Sequence, residues 1–206
     1  MATRAVGLRP VEWQGTSLSD DHVGRPVLIV ANAKTTNGRS HGPQRTLGLW
    51  DPWPSERAAI GLLLEEIRRV GVAGFGSLHR TCADLLYDVN RQLWPERREV
   101  IGLYTLRHQF AADAKAVMRA TEVAALVGHK TTRTAYLHYA ARSQGELRLW
   151  HDGEIALPVA DPADVARVQV HRHTQPPARP VNRTPTQSPI GLAHQADRAS
   201  AARRSG

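Results

Sequence analysis

Apolar residues recur at helical spacing along much of the chain, broken by one short β-branched run. Ile60, Leu63, Leu64 and Ile67 follow the break Asp51-Pro52-Trp53-Pro54, with Ser55 as a cap, and predict a helix that Gly71 ends. Gly71 to Gly76 reads as a loop. Ser77 then opens a further helix bearing Leu78, Leu85, Leu86, Val89 and Leu93, stopped by Pro95. Upstream, Pro26-Val27-Leu28-Ile29-Val30 reads as a strand, Asn37-Gly38 as a turn, and Arg45-Thr46-Leu47-Gly48-Leu49 as the returning partner. Downstream, Leu106, Phe110, Ala114 and Val117 share one face of a helix that begins near Leu106. Thr121 can cap a second helix with Val123, Leu126 and Val127 as its apolar positions, and Gly128 supplies a left-handed stop. Thr131 or Thr132 can cap a third, in which Tyr136 and Tyr139 share a face. Periodicity alone gives a mixed, mostly helical chain with one hairpin.

From about Leu157 the pattern stops. Pro176, Pro177, Pro180, Pro185 and Pro189 are interspersed with Arg, Thr and Gln, and few large apolar residues remain. Such a segment buries too little to offset its conformational entropy, so residues 156–206 read as a disordered Pro/Arg-rich tail behind a domain spanning 1–155. No apolar run approaches the roughly 18 residues a membrane span needs, and the N-terminus lacks a signal-peptide core. The single cysteine, Cys82, sits in a helical pattern and fits a reducing cytoplasm. Lys plus Arg number 27 against 19 acidic residues, a formal charge of +8 that favours a polyanionic partner. Nucleic acid is the expected one.

The charge matters because of what lies between Tyr104 and Tyr139. Three short helices there bring Arg107, His129 and two tyrosines to helix ends. An Arg offers a planar fork to phosphate oxygens, and a Tyr hydroxyl can attack phosphorus to form a covalent ester. Leu106-Arg107-His108, then Leu126-Val127-Gly128-His129, then a Tyr ending a short helix resembles the second half of the catalytic domain of tyrosine recombinases, the phage integrase family. Near the start, Gly7-Leu8-Arg9 with Glu12 resembles the box that carries the first arginine of that family.

This resemblance implies an α+β, mostly helical DNA breaking-rejoining catalytic domain with a small β-hairpin sheet. It implies double-stranded DNA as partner, a homo-oligomer on that DNA, and a reaction needing neither metal nor cofactor. A Tyr attacks one strand to give a 3′-phosphotyrosyl protein and a free 5′-hydroxyl, and a second strand then attacks the ester. Arg9 and Arg107 would bind the nonbridging oxygens, with Glu12 buttressing Arg9, and His129 would donate a further hydrogen bond. Tyr139, ten residues after His129, falls where the family's tyrosine usually lies, whereas Tyr136 comes only seven residues after it. Lys34 takes the place of the general acid toward the leaving oxygen. The bland reading of the same hairpin tip is a solvated cationic surface of Lys34, Arg39 and Arg45. Leu147 to Trp150 is a further apolar segment that would pack within the chain or against a neighbouring protomer.

Two departures from the family pattern stand out. Tyr104 occupies the position where a His usually precedes the second arginine by three residues. The helical domain expected ahead of the first box is missing, so the chain reads as a truncated form. A noncatalytic DNA-binding module or inactive remnant is the alternative reading, and a type IB topoisomerase relative is a third.

Overall fold

The computed structural model describes residues 2–33, 35, 38–139, 141–150 and 152–171. Lys34 and the chain beyond His171 lie outside the described residues. The described chain is mixed α+β and mostly helical, as expected. Helix α1 spans Ala2–Val6, and a 3₁₀ turn, Pro10–Gly15, leads into strand β1, Thr16–Asp20. Strands β2, Pro26–Ala31, and β3, Gln44–Gly48, form the expected hairpin, with Leu28 opposite Leu47 and Val30 opposite Arg45. The sheet is wider than a hairpin. Strand β1 pairs antiparallel with β2, and β4, Val159–Ala160, pairs antiparallel with β3.

Helix α2, Pro54–Leu93, carries both expected scaffold helices with no loop between them. Gly71 does break the helical path, at φ 64° and ψ −174°, but the helix resumes at once. The expected loop to Gly76 is therefore corrected. Helices α3, Leu103–Val117, α4, Ala120–Leu126, and α5, Thr132–His138, follow in close succession. Thr121 lies inside α4, which begins after Arg119, whose amide donates to Glu122 Oε2 at 2.9 Å. Leu8, Leu28, Val30, Leu47, Leu49, Ile60, Phe110 and Leu126 meet in one core between the sheet and the helices.

The tail boundary needs a larger correction. Residues 156–171 are not a disordered tail: Leu157 is fully buried, Ala160 faces Leu47, and α6 spans Pro162–Arg167. Asp161 caps α6 by accepting from the Ala163 amide at 2.7 Å, and the buried Asp164 accepts from the Thr46 amide at 2.7 Å. Ile155, Ala156, Leu157, Ala160 and Val168 form a compact apolar set that the proline-rich composition downstream conceals. The preceding segment packs within the chain, because buried Arg148 pairs with Glu56 and stacks 4.8 Å over Trp53. Among the described residues, no helix is long and apolar enough to cross a membrane.

Candidate active site

Helix α3 places Arg107 in the same stripe as Phe110, Ala111 and Ala114, so a guanidinium is carried inward on a face that is otherwise apolar. It is 0% exposed. Such a burial requires that its N–H groups find acceptors. Arg107 Nη1 donates to the Gly7 carbonyl at 2.5 Å, Nη2 to the Val127 carbonyl at 2.5 Å, and Nε to the Tyr139 hydroxyl at 2.8 Å. One side chain thus ties the first sequence box, the turn before His129 and the tyrosine together.

Arg9 comes from the residue that opens the 3₁₀ turn, where Pro10 fixes the entry. Its Nη1 donates to Glu12 Oε1 at 2.5 Å and its amide to Glu12 Oε2 at 2.8 Å. Glu12 also accepts from Arg45 Nη2 at 2.8 Å and stands 3.6 Å from Arg107 Nη1. Arg45 is therefore no part of a solvated surface, contrary to one reading of the hairpin, since it is 1% exposed. Arg45 and Leu47 alternate onto the inward face of β3, and Leu49, just past its end, is buried with them.

Tyr139 follows the last residue of α5 and has extended backbone, φ −125° and ψ 158°. The expectation that it shares a helix face with Tyr136 is corrected. Because the helix stops at His138, Tyr139 turns inward to 8% exposure while Tyr136 stays outside at 53%. Gly128, at φ 70°, ends α4 and hands the chain to His129, whose amide reaches back to the Ala124 carbonyl at 2.8 Å. The imidazole Nε2 lies 3.2 Å from the Tyr139 hydroxyl. Arg107 Nε donates to that hydroxyl, and the histidine tautomer sets the direction of the bond between the hydroxyl and His129 Nε2. Tyr104 sits in the first turn of α3, half exposed, with its ring edge against His108, and the His108 ring lies 5.0 Å from that of Tyr139.

The structure thus brings together Arg9, Arg107, His129 and Tyr139, with Tyr104 at the edge. Sequence reasoning missed Arg45 and His108 as members. The inward alternation of β3 signals the first, and the i, i+4 spacing from Tyr104 the second.

Three buried guanidinium groups face one carboxylate. Burial pushes the Glu12 pKa up, but Arg45, Arg107 and Arg9 outweigh it and hold the group at about 2. His129 is forced down to about 2 by burial, reinforced by Arg107, Arg9 and Arg45, so the imidazole is neutral. Burial raises the Tyr139 pKa against the pull of Arg107, which keeps the phenol protonated. Burial also lowers His108, with help from Arg107 and Lys115. Among the described residues, Arg9 Nε and His129 Nδ1 are buried without a hydrogen-bond partner.

The chain matches no protein-family model, no curated protein and no solved structure.

Proposed function

We propose that the chain is a DNA strand transferase of the tyrosine recombinase kind, cleaving through Tyr139. One observation carries this reading: an excess of buried positive charge surrounds a nucleophilic hydroxyl. Among the described residues, Arg9, Arg45 and Arg107 share the carboxylate of Glu12 and Arg9 Nε has no partner, so the site is short of an anion. A phosphodiester supplies that charge and the acceptor oxygens.

In the reaction, the Tyr139 oxygen bonds to phosphorus as the bond from phosphorus to the 5′ oxygen breaks. The Tyr139 proton leaves toward His129 Nε2 or water, and the 5′ oxygen takes a proton from Lys34. Arg9 and Arg107 stabilise the charge that develops on the nonbridging oxygens. Before DNA arrives, burial, reinforced by the guanidinium field, keeps His129 a weak base, and burial keeps Tyr139 protonated. The incoming phosphate cancels part of that field, so proton transfer becomes easier when substrate is present. Religation reverses the steps with a second 5′ hydroxyl.

The test uses nicked duplexes tiled across the DNA on either side of the coding sequence, with covalent protein–DNA complexes scored on denaturing gels. Wild type and Tyr136→Phe should form the adduct and Tyr139→Phe should not. An adduct lost only in Tyr136→Phe overturns the assignment of the nucleophile. Its absence in all three overturns the enzyme reading and leaves a DNA-binding module, measured by retardation of the same duplexes.

A further inference from the structure

Arg45 spends all three guanidinium nitrogens on the protein's own scaffold and, unlike Arg107, none on Tyr139. Its Nε donates to the Leu126 carbonyl at 2.8 Å, its Nη2 to Glu12 Oε2 at 2.8 Å, and its Nη1 to Asn32 Oδ1. These acceptors come from three separate stretches. Leu126 ends α4, three residues before His129. Glu12 holds Arg9. Asn32 closes the base of the connection between β2 and β3, where its Nδ2 donates to the Gly42 carbonyl at 2.8 Å and its amide to the Pro43 carbonyl at 2.8 Å. Glu12 Oε1 also accepts from the Ala33 amide at 3.2 Å, next to Lys34.

The turn before His129 is built around this pair. A Cβ on Gly128 would stand 2.6 Å from Asn32 Oδ1 and 2.9 Å from Arg45 Nη1, so the backbone there lies directly against the Arg45–Asn32 contact. Three acceptors, one for each guanidinium nitrogen, suit an arginine, while a lysine ammonium with a single nitrogen cannot span them.

We propose that Arg45 is a positioning residue of this site, touching no substrate but fixing through Glu12, Asn32 and the Leu126 carbonyl where Arg9 and His129 stand. This rests on the phosphoryl-transfer reading above. Arg45 spends all three guanidinium nitrogens on these acceptors and donates to neither Tyr139 nor His129, so its loss acts through the geometry of the groups around them. Misplacing reacting groups by about 1 Å slows a reaction about 100-fold.

The experiment measures single-turnover adduct formation on the nicked duplexes for wild type, Arg45→Lys, Arg45→Met, Asn32→Ala and Arg148→Met. Arg148 supplies the structural control, because it is equally buried and paired with Glu56 outside this site. Amplitude reports the folded fraction and the rate constant reports positioning. Both Arg45 variants should bind the duplex within about threefold of wild type yet react about 10- to 100-fold more slowly per folded molecule. Arg148→Met should lose amplitude only. Arg45 variants that react at the wild-type rate, or a slowing that Arg148→Met reproduces, overturn the assignment while leaving the enzyme reading intact. Should the Arg45 variants not fold, Asn32→Ala decides, since it removes one acceptor and keeps the cation: a wild-type rate there overturns the assignment. No adduct from wild type overturns the enzyme reading itself, and the assignment of Arg45 with it.

Discussion

Replacing Glu12 by Gln keeps the volume and one acceptor but removes the only carboxylate, among the described residues, paired with Arg9, Arg45 and Arg107. The gap between an ordinary value of 4.5 and about 2 for this group corresponds to about 3 kcal/mol of stability at neutral pH. Breaking a buried ion pair by removing one partner costs about 3 to 5 kcal/mol, which agrees. Against a total stability of about 5 to 15 kcal/mol that loss is large. The pH dependence gives the sharper check. Because the folded-state pKa lies below the unfolded one, the stabilisation is complete above pH 4.5 and disappears as pH falls from there to about 2. Urea unfolding of wild type and Glu12→Gln at several pH values should therefore show a difference of about 3 kcal/mol at pH 7 that shrinks steadily below pH 4.5. A difference below about 1 kcal/mol at neutral pH, or one unchanged at pH 3, would refute the shared-carboxylate argument.

His129 gives a second slope, of different origin. The unfolded chain takes up a proton near pH 6.5 that the folded site refuses until about 2, so stability falls as pH drops through that window. Substituting Asn for His129 should flatten wild type's slope between pH 6.5 and 4.5, by at most about 1.4 kcal/mol per pH unit, and parallel slopes would contradict the buried neutral imidazole. Gly7→Ala should cost about 2 kcal/mol or more, since φ is +65° there and a Cβ would meet the Phe110 ring at 2.1 Å; thermal unfolding measures it, and an unchanged midpoint argues against this packing. Leu157→Ala should cost about 2 to 5 kcal/mol in chemical unfolding, whereas a loose segment at that position would show almost no effect.

The elements that depend on local signals were readable in advance. The β2–β3 hairpin, the turn at Gly128 and the helical face of Phe110, Ala114 and Val117 all follow from period and turn chemistry. Strand β1, Thr-Ser-Leu-Ser-Asp, was not legible, because its stability comes from pairing with β2 and four of its five residues are exposed. Residues 156–171 were hidden for a related reason: β4 is two residues long and gains its place from β3, which no local composition reports. At the site, Arg9, Glu12, Arg107, His129 and Tyr139 could be proposed one by one from motif spacing. Their meeting around a common carboxylate could not, because Glu12 reaches Arg45 and Arg107 across 33 and 95 positions. Arg45 was misjudged as a surface cation since charge dominates the reading of a single residue. The alternation of its neighbours was the better guide.

The sharing of Glu12 also constrains the order in which the chain assembles. Its partners arrive on β3 and α3, whereas Arg9 stands three residues away and is available early. A partly folded chain that dries this region before β3 and α3 have both docked confines positive charge without its counterpart, or the carboxylate without enough donors, and each state is costly. The cluster is therefore expected to close in a single step and not one arginine at a time. If that step follows the folding transition state, weakening it speeds unfolding and leaves the folding rate almost unchanged. The residues that concentrate charge around Glu12 would then govern how long the native chain persists.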